Sequence, residues 1–347
     1  MKYFLLSLVL LTQKILIGQI GGETSFNNLN RGYNARAISL GSNFITSKDT
    51  DVNIGVINPS LLNSQMHNQI GVNQVFQTGG INSGMLVTAK HFTKYNITQS
   101  YSLRYVDYGK MNQTSETGEI TGSFIPADLI ISSGFGKQLN ERLSIGMQIN
   151  LLYSQYGQFA SLGGSLDFGG SYEIKDKKIV TTLLVKNIGY QFINFLNQSK
   201  HPLPTEIQFA YSHTLSHAPI RFSYLFHHLN RWDLSYNDPN LYGTIDPLTG
   251  DSISQKKANL AQKIFHHFTP QIEILMSKNL HFRFAFDYHR RNELLVENRP
   301  GLAGFSFGFG YYFKRFNFEY GFSSYSIVGS LNAITLSTNF ENWRKKY

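Results

Sequence analysis

Hydrophobic and polar positions alternate two by two through much of this chain, most clearly between Leu280 and Phe340. Leu280, Phe282, Phe284, Phe286 and Tyr288 alternate with His281, Arg283, Ala285, Asp287 and His289. Phe305, Phe307, Phe309 and Tyr311 alternate with Ser306, Gly308 and Gly310, and Phe316, Phe318, Tyr320 and Phe322 with Asn317, Glu319, Gly321 and Ser323. Ile334, Leu336, Thr338 and Phe340 close the series. Successive side chains of a strand point to opposite faces, so each segment has one aromatic face and one polar or small face. A soluble sandwich would rarely put Phe at nearly every inward position of three successive strands. Lipid outside and a polar lumen inside suit the pattern better. Phe284, Phe307 and Phe318 are then lipid-facing, and Ser306 and Asn317 lumenal.

The same reading gives strands near 69–76, 81–91, 97–107, 127–136, 143–154, 162–173, 178–187, 205–213, 220–228, 266–276, 280–289, 303–313, 316–325 and 331–340. Most have about ten residues, the length of a tilted bilayer-crossing strand. Short connections (Phe92–Asn96, Lys137–Arg142, Ile174–Lys177, Thr214–Pro219, Ser277–Asn279, Lys314-Arg315) alternate with others that include Tyr108–Pro126, Ile188–Pro204, Leu229–Phe265 and Arg290–Leu302. Such alternation marks an up-and-down barrel with one periplasmic and one external rim. The expected fold is all-β: a transmembrane antiparallel β-barrel of about fourteen strands over 69–340. Its first and last strands must pair, because an open edge in lipid leaves backbone groups unsatisfied.

The N-terminal region has a different texture. Met1-Lys2 and the apolar run Tyr3 to Leu11 read as a secretory signal peptide, residues 1–18, with cleavage near Gly18/Gln19. Residues 19–68 are too irregular for strands. Asn34 to Gly41 suggests a helical turn stopped by glycine, and Asn58-Pro59-Ser60 a turn leading into a short helix. This segment is expected to fold into the lumen as a plug around Asn58, Pro59 and Ser60, a periplasmic extension being the alternative. Residues 341–347 form a tail after Phe340, with Trp343 and Tyr347 as candidate interfacial anchors.

Composition narrows the class. Aromatic residues are 14% and charged residues only 15%, against about a quarter in soluble domains. The mean hydropathy of −0.21 is no objection, since alternation averages a barrel's hydropathy away. The absence of Cys excludes disulfides and thiolate-bound metals. The net charge of +9 is scattered through turns and loops. Nucleic acid is therefore not an expected partner, whereas anionic lipid or lipopolysaccharide is.

Chemistry is sparse. Neither a catalytic group nor a cofactor is expected: Ser60, Ser161 and Ser306 lack a G-x-S-x-G context. His227-His228 and His266-His267 look like metal pairs, but strand neighbours point to opposite faces, so no metal site is expected. The acidic stretch Asp238 to Asp251 does not have EF-hand spacing and reads as loop turns. The long connection Leu229–Phe265 carries Trp232, Tyr236 and Tyr242, aromatics of the kind that anchor protein interfaces.

Several strings add a resemblance. Gln19-Ile-Gly-Gly-Glu, Asn34-Ala-Arg-Ala-Ile-Ser-Leu-Gly, Asp51-Val-Asn-Ile-Gly-Val-Ile-Asn-Pro-Ser-Leu-Leu62, Arg231-Trp-Asp-Leu, Ile245-Asp-Pro-Leu-Thr-Gly and Arg299-Pro-Gly-Leu-Ala-Gly-Phe-Ser-Phe-Gly-Phe-Gly310 resemble PorQ-type outer-membrane proteins of the type IX secretion system. The N-terminal elements are also similar to PorV and, more distantly, to FadL-type fatty-acid transport barrels, although Ser60 stands where those commonly have Ala. The resemblance implies a non-enzymatic role in the cell-surface attachment complex, beside a PorV-like barrel, a PorU-like sortase and a PorZ-like surface protein. The alternative is a FadL-type transporter of hydrophobic small molecules. A scaffold needs recognition residues on external loops, a transporter an apolar lumenal pocket.

Overall fold

A computed structural model describes residues 24–195, 201–235, 258–294, 301–326 and 329–344. The signal-peptide reading of 1–18, Tyr236, Tyr242, the Asp238–Asp251 stretch and Tyr347 lie outside them. The wall is built from β1 (Gln69–Gln77), β2 (Asn82–Phe92), β3 (Ile97–Asp107), β6 (Ala127–Gln138), β7 (Leu143–Tyr156), β8 (Phe159–Ile174) and β9 (Ile179–Ile193). It continues through β10 (Glu206–Thr214), β11 (Ile220–Phe226), β12 (Phe268–Ile274), β13 (Leu280–Phe286), β14 (Phe305–Tyr312), β15 (Phe316–Ser324) and β16 (Ser330–Asn339). These fourteen strands form one closed antiparallel barrel. Closure runs through β1 and β16, with Ile70 opposite Thr338 and Val72 opposite Leu336, so no wall edge meets lipid unpaired.

Burial alternates with the pleat. On β3, Tyr101, Leu103 and Tyr105 point out while Ser100, Ser102 and Arg104 are buried inside. Phe284 and Phe307 are exposed on the outer face, and their inward neighbours Arg283 and Ser306 are buried. Outer aromatics also pack across strands, as Phe307 does with Phe322, centroids 4.7 Å apart. An apolar belt outside and polar groups inside invert a soluble core, and only a lipid surrounding makes that inversion favourable.

The structure departs from the sequence expectation at the long-loop rim. The Tyr108–Pro126 connection contains a separate hairpin, β4 (Met111–Thr114) and β5 (Ile120–Phe124). Strand β9 runs on to Ile193, pairing with Leu162 beyond a bulge. Two strands are shorter than expected because helices intervene. Helix α3 (Leu260–His266) takes residues up to His266, so β12 begins only at Phe268. Helix α4 (Tyr288–Leu294) begins right after β13. Asn259 starts α3 with a reciprocal capping box: its side chain accepts from the Gln262 amide at 2.8 Å and Gln262 accepts from the Asn259 amide at 2.9 Å.

The segment from residue 24 to β1 lies inside the barrel. It carries α1 (Ala35–Ser39), α2 (Val52–Ile57) and short 3-10 turns, among them Pro59–Leu61. Asn34 caps α1, its side chain accepting from the Ala37 amide, and Gly41 follows with φ 83°. The left-handed position after a helix is one that glycine occupies without penalty. The apolar residues of the segment bury partly against one another, as in the cluster of Leu40, Phe44, Ile54 and Leu61. Others meet the wall, where Val52, Val56 and Met66 pack against Met85 and Val87 of β2.

Candidate functional site

The lumen is the site whose geometry bears on function, because whatever the barrel does depends on whether this space is filled. Its backbone groups find partners on the inner wall, as buried polar groups must. The Ala35 amide donates to Thr335 Oγ1 at 2.9 Å, and that hydroxyl donates to Asn73 at 2.6 Å. Ser212 donates to the Thr46 carbonyl at 2.7 Å, and Gln271 donates to the Leu40 carbonyl at 2.7 Å. Wall glycines let the segment come this close: a Cβ on Gly321 would stand 2.1 Å from the Ala35 carbonyl oxygen, and one on Gly146 would stand 2.2 Å from the Pro59 carbonyl carbon.

Asn58, Pro59 and Ser60 are buried deep in this packing. Asn58 donates to the Ile45 carbonyl at 2.9 Å and accepts from the Ser60 amide and hydroxyl. The Ser60 carbonyl accepts from Ser171 on β8 at 3.2 Å. The three residues therefore brace the segment against β7 and β8.

At the short-turn end a charge network ties segment to wall. Arg36 of α1 makes a two-pronged contact with Glu273 of β12, at 3.0 and 3.1 Å, and reaches Asp49 at 2.8 Å. Glu273 also accepts from Arg221 at 2.6 Å and Arg283 at 3.2 Å. Arg283 continues to Glu319 at 3.0 Å, which Tyr312 also meets at 2.7 Å. Glu273 is only 1% exposed, and three guanidiniums converge on it. This arrangement left little trace in the sequence: Arg36 is a single charge on α1, and Glu273, Arg283 and Glu319 are scattered single charges whose only signal is their inward phase on their strands.

Of the spaces left two are charged, while another of about 320 Å³ is lined by Phe26, Tyr108, Tyr156 and Phe195 with Asp128 among others. A cavity of about 510 Å³ at the short-turn mouth is lined by Arg36, Asp49, Arg221 and Glu319 among others. One of about 230 Å³ at the opposite mouth is lined by Glu206, His227, His228, Asp287, His289 and Glu293 among others.

Of the loop aromatics, Trp232 is 62% exposed, with its carbonyl accepting from His267 Nε2 at 3.2 Å. Tyr236 and Tyr242 lie outside the described residues. Contrary to the expectation from strand alternation, neither histidine pair lies within a strand. His227 and His228 follow the end of β11, and His228 has φ 54°, which breaks the alternation and turns both rings toward Glu206. His266 ends α3 and lies on no strand. The Asn259-x-x-Gln262 box was the available signal.

No protein-family profile matches this chain, and no curated protein matches it either. Solved structures do. The toluene transporter TodX of Pseudomonas putida is 14% identical with a TM-score of 0.52, over 88% of this chain and 97% of that one. The monoaromatic hydrocarbon channel CymD is 14% identical with a TM-score of 0.51, over 88% and 96%. A TodX channel mutant, deltaS2S3, is 12% identical with a TM-score of 0.55, over 89% and 99%. The fold is that of an outer-membrane β-barrel. The likeness and the lipid-facing belt agree on an outer-membrane location of the Gram-negative kind. At such identities the likeness extends to architecture alone.

Proposed function

We propose that this chain is a sealed, non-enzymatic outer-membrane anchor for a type IX secretion assembly at the cell surface, as its PorQ-like segments imply. The observation that carries the reading is the filled lumen. The N-terminal segment is hydrogen-bonded to opposite sides of the wall, through Thr335 on β16 and Ser171 on β8, and pinned by Arg36 on Glu273. A barrel so occupied offers its rim and loops to partners. The proposed partners are a PorZ-like surface protein, a PorU-like sortase and a PorV-like barrel, with lipopolysaccharide in the surrounding leaflet. Trp232 stands exposed near the start of the long connection after β11, where a docking aromatic would be useful.

A second reading is a FadL-type passage for hydrophobic small molecules. The fold shared with TodX and CymD, channels for aromatic hydrocarbons, favours it. The charged lining of two of the cavities counts against it, since an apolar solute gains little there and the charges would lose hydration. The cavity of about 320 Å³ beside Tyr108, Tyr156 and Phe195, by contrast, is partly aromatic. Affinity purification of the full chain from native outer membranes, paired with hydrocarbon uptake by the same cells, separates the two. Anchoring predicts co-purifying surface proteins and unchanged uptake on deleting the chain. Loss of uptake with no specific partner would replace anchoring with transport.

A further inference from the structure

Five histidines meet at the long-loop mouth, and the anchoring role uses none of them. His227 and His228 follow β11, His266 ends α3, His267 precedes β12 and His289 lies in α4. His267 has a structural task, bonding the carbonyls of His227 and Trp232. His266 and His289 face each other, Nδ1 to Nδ1, at 3.2 Å, and each has a further partner, Asn292 and Glu293 respectively.

The remaining pair is different. Nδ1 of His227 and Nδ1 of His228 are 2.7 Å apart, and His228 Nδ1 is 3.5 Å from Glu206 Oε1. One donor atom from each of Glu206, His227 and His228 lies within 4.8 Å of the others. Nitrogen ligands at zinc bond lengths on a tetrahedral ion stand about 3.4 Å from one another, so the three groups need only small shifts to share an ion. His227 Nε2, the other nitrogen of that ring, is buried and finds no hydrogen-bond partner. The set opens on the cavity of about 230 Å³, which leaves room for a water in a fourth position.

We propose that Glu206, His227 and His228 form a binding site for one divalent transition-metal ion, zinc-like in ligand preference, at the external mouth of the barrel. Two imidazoles and one carboxylate select zinc, nickel or copper over magnesium and calcium, which prefer all-oxygen shells. One feature opposes binding: Lys186 sits 3.1 Å from Glu206 Oε2. It occupies the oxygen turned away from His228, and Oε1 also accepts from Gln208 at 2.7 Å and from the His228 amide at 3.2 Å. An ion here would join the start of β10 to the end of β11, fixing the root of the loop that begins at Leu229, whose amide bonds Ile207. The site does not depend on whether the barrel anchors or transports.

The test uses the full chain without a histidine tag, in detergent, stripped by chelator and titrated with Zn²⁺ by calorimetry and with Co²⁺ by visible absorption. The expected result is one ion per barrel, unaffected by excess Mg²⁺. Affinity should fall more than about 100-fold in His228→Gln and in His227→Ala, with no change in His213→Ala. Heat-dependent gel mobility identifies variants that remain folded, and His228→Gln is the gentler of the two. The proposal is overturned if the folded wild-type barrel binds no Zn²⁺. It is overturned equally if both variants bind as the wild type does, or if Mg²⁺ displaces the ion.

Discussion

Glu273→Gln probes how firmly the lumenal segment is held. The carboxylate accepts from Arg36, Arg221 and Arg283 at 2.6 to 3.2 Å, with the side chains of Arg36 and Arg283 almost wholly buried. Glutamine keeps the shape but removes the charge, and its NH2 group turns a donor toward guanidinium donors. Breaking a buried ion pair from one side costs about 3–5 kcal/mol, since the surviving charges stay buried and uncompensated. The Arg36 half can relax toward Asp49 and Asp51, at 2.8 and 3.4 Å, which favours the lower end of that range. The segment should loosen while the wall, held by its own ladder, stays closed. Urea unfolding in vesicles measures the loss. Limited proteolysis reports the loosening, with cleavage expected at Lys48, now bonded to Ser144 at 2.7 Å. The double variant Arg36→Gln/Glu273→Gln should recover part of the loss, a coupling of about 0.5–3 kcal/mol. A loss under about 1 kcal/mol, with Lys48 as resistant as in wild type, would refute the idea that this network locks the segment.

Other outcomes follow from the same geometry. Gly321→Val, whose Cβ would overlap the Ala35 carbonyl, should displace α1 and raise planar-bilayer conductance, whereas Gly170→Val meets nothing within 4 Å and should leave the barrel closed. Phe307→Arg should cost about 2–4 kcal/mol of folding free energy in vesicles, as charge on a lipid face does. Asn317→Arg, beside the cavity of about 510 Å³, should cost much less. Ser306 is a poor lumenal control, because it is buried at 3% exposure and bonded to Ser323. Trp232→Ala should leave heat-dependent mobility unchanged and release the surface partner from isolated membranes.

The wall was legible in the sequence because it rests on one period. Every stretch such as Phe305 to Tyr311 carries its phase in its own residues, and the closed topology follows from the strand count and the alternation of loop lengths. Helix α4 was not legible and α3 only through its Asn259-x-x-Gln262 box, both being one or two turns long and abutting strands, so that His266 and Tyr288 extend the strand pattern by chance. The lumenal contacts were only partly readable. The Asn34 cap and the Asn58-Pro59 turn have local signals, but the partnership of Arg36 with Glu273 spans 237 positions and leaves no local trace. The histidine geometry was misread for a related reason, since the left-handed backbone at His228 belongs to a strand end that side-chain periodicity cannot locate to the residue.

Whether the filled lumen ever opens to a solute separates a sealed anchor from a passage. Thr46 of the segment and Ser212 of β10 have hydroxyls 3.5 Å apart, and the chain has no native cysteine. Thr46→Cys/Ser212→Cys therefore allows a single reversible lock. Uptake of labelled toluene into cells carrying this variant is to be measured oxidised and then reduced. A sealed anchor predicts the same background uptake in both states and in cells without the protein. Uptake above that background, lost on oxidation and restored on reduction, would contradict it.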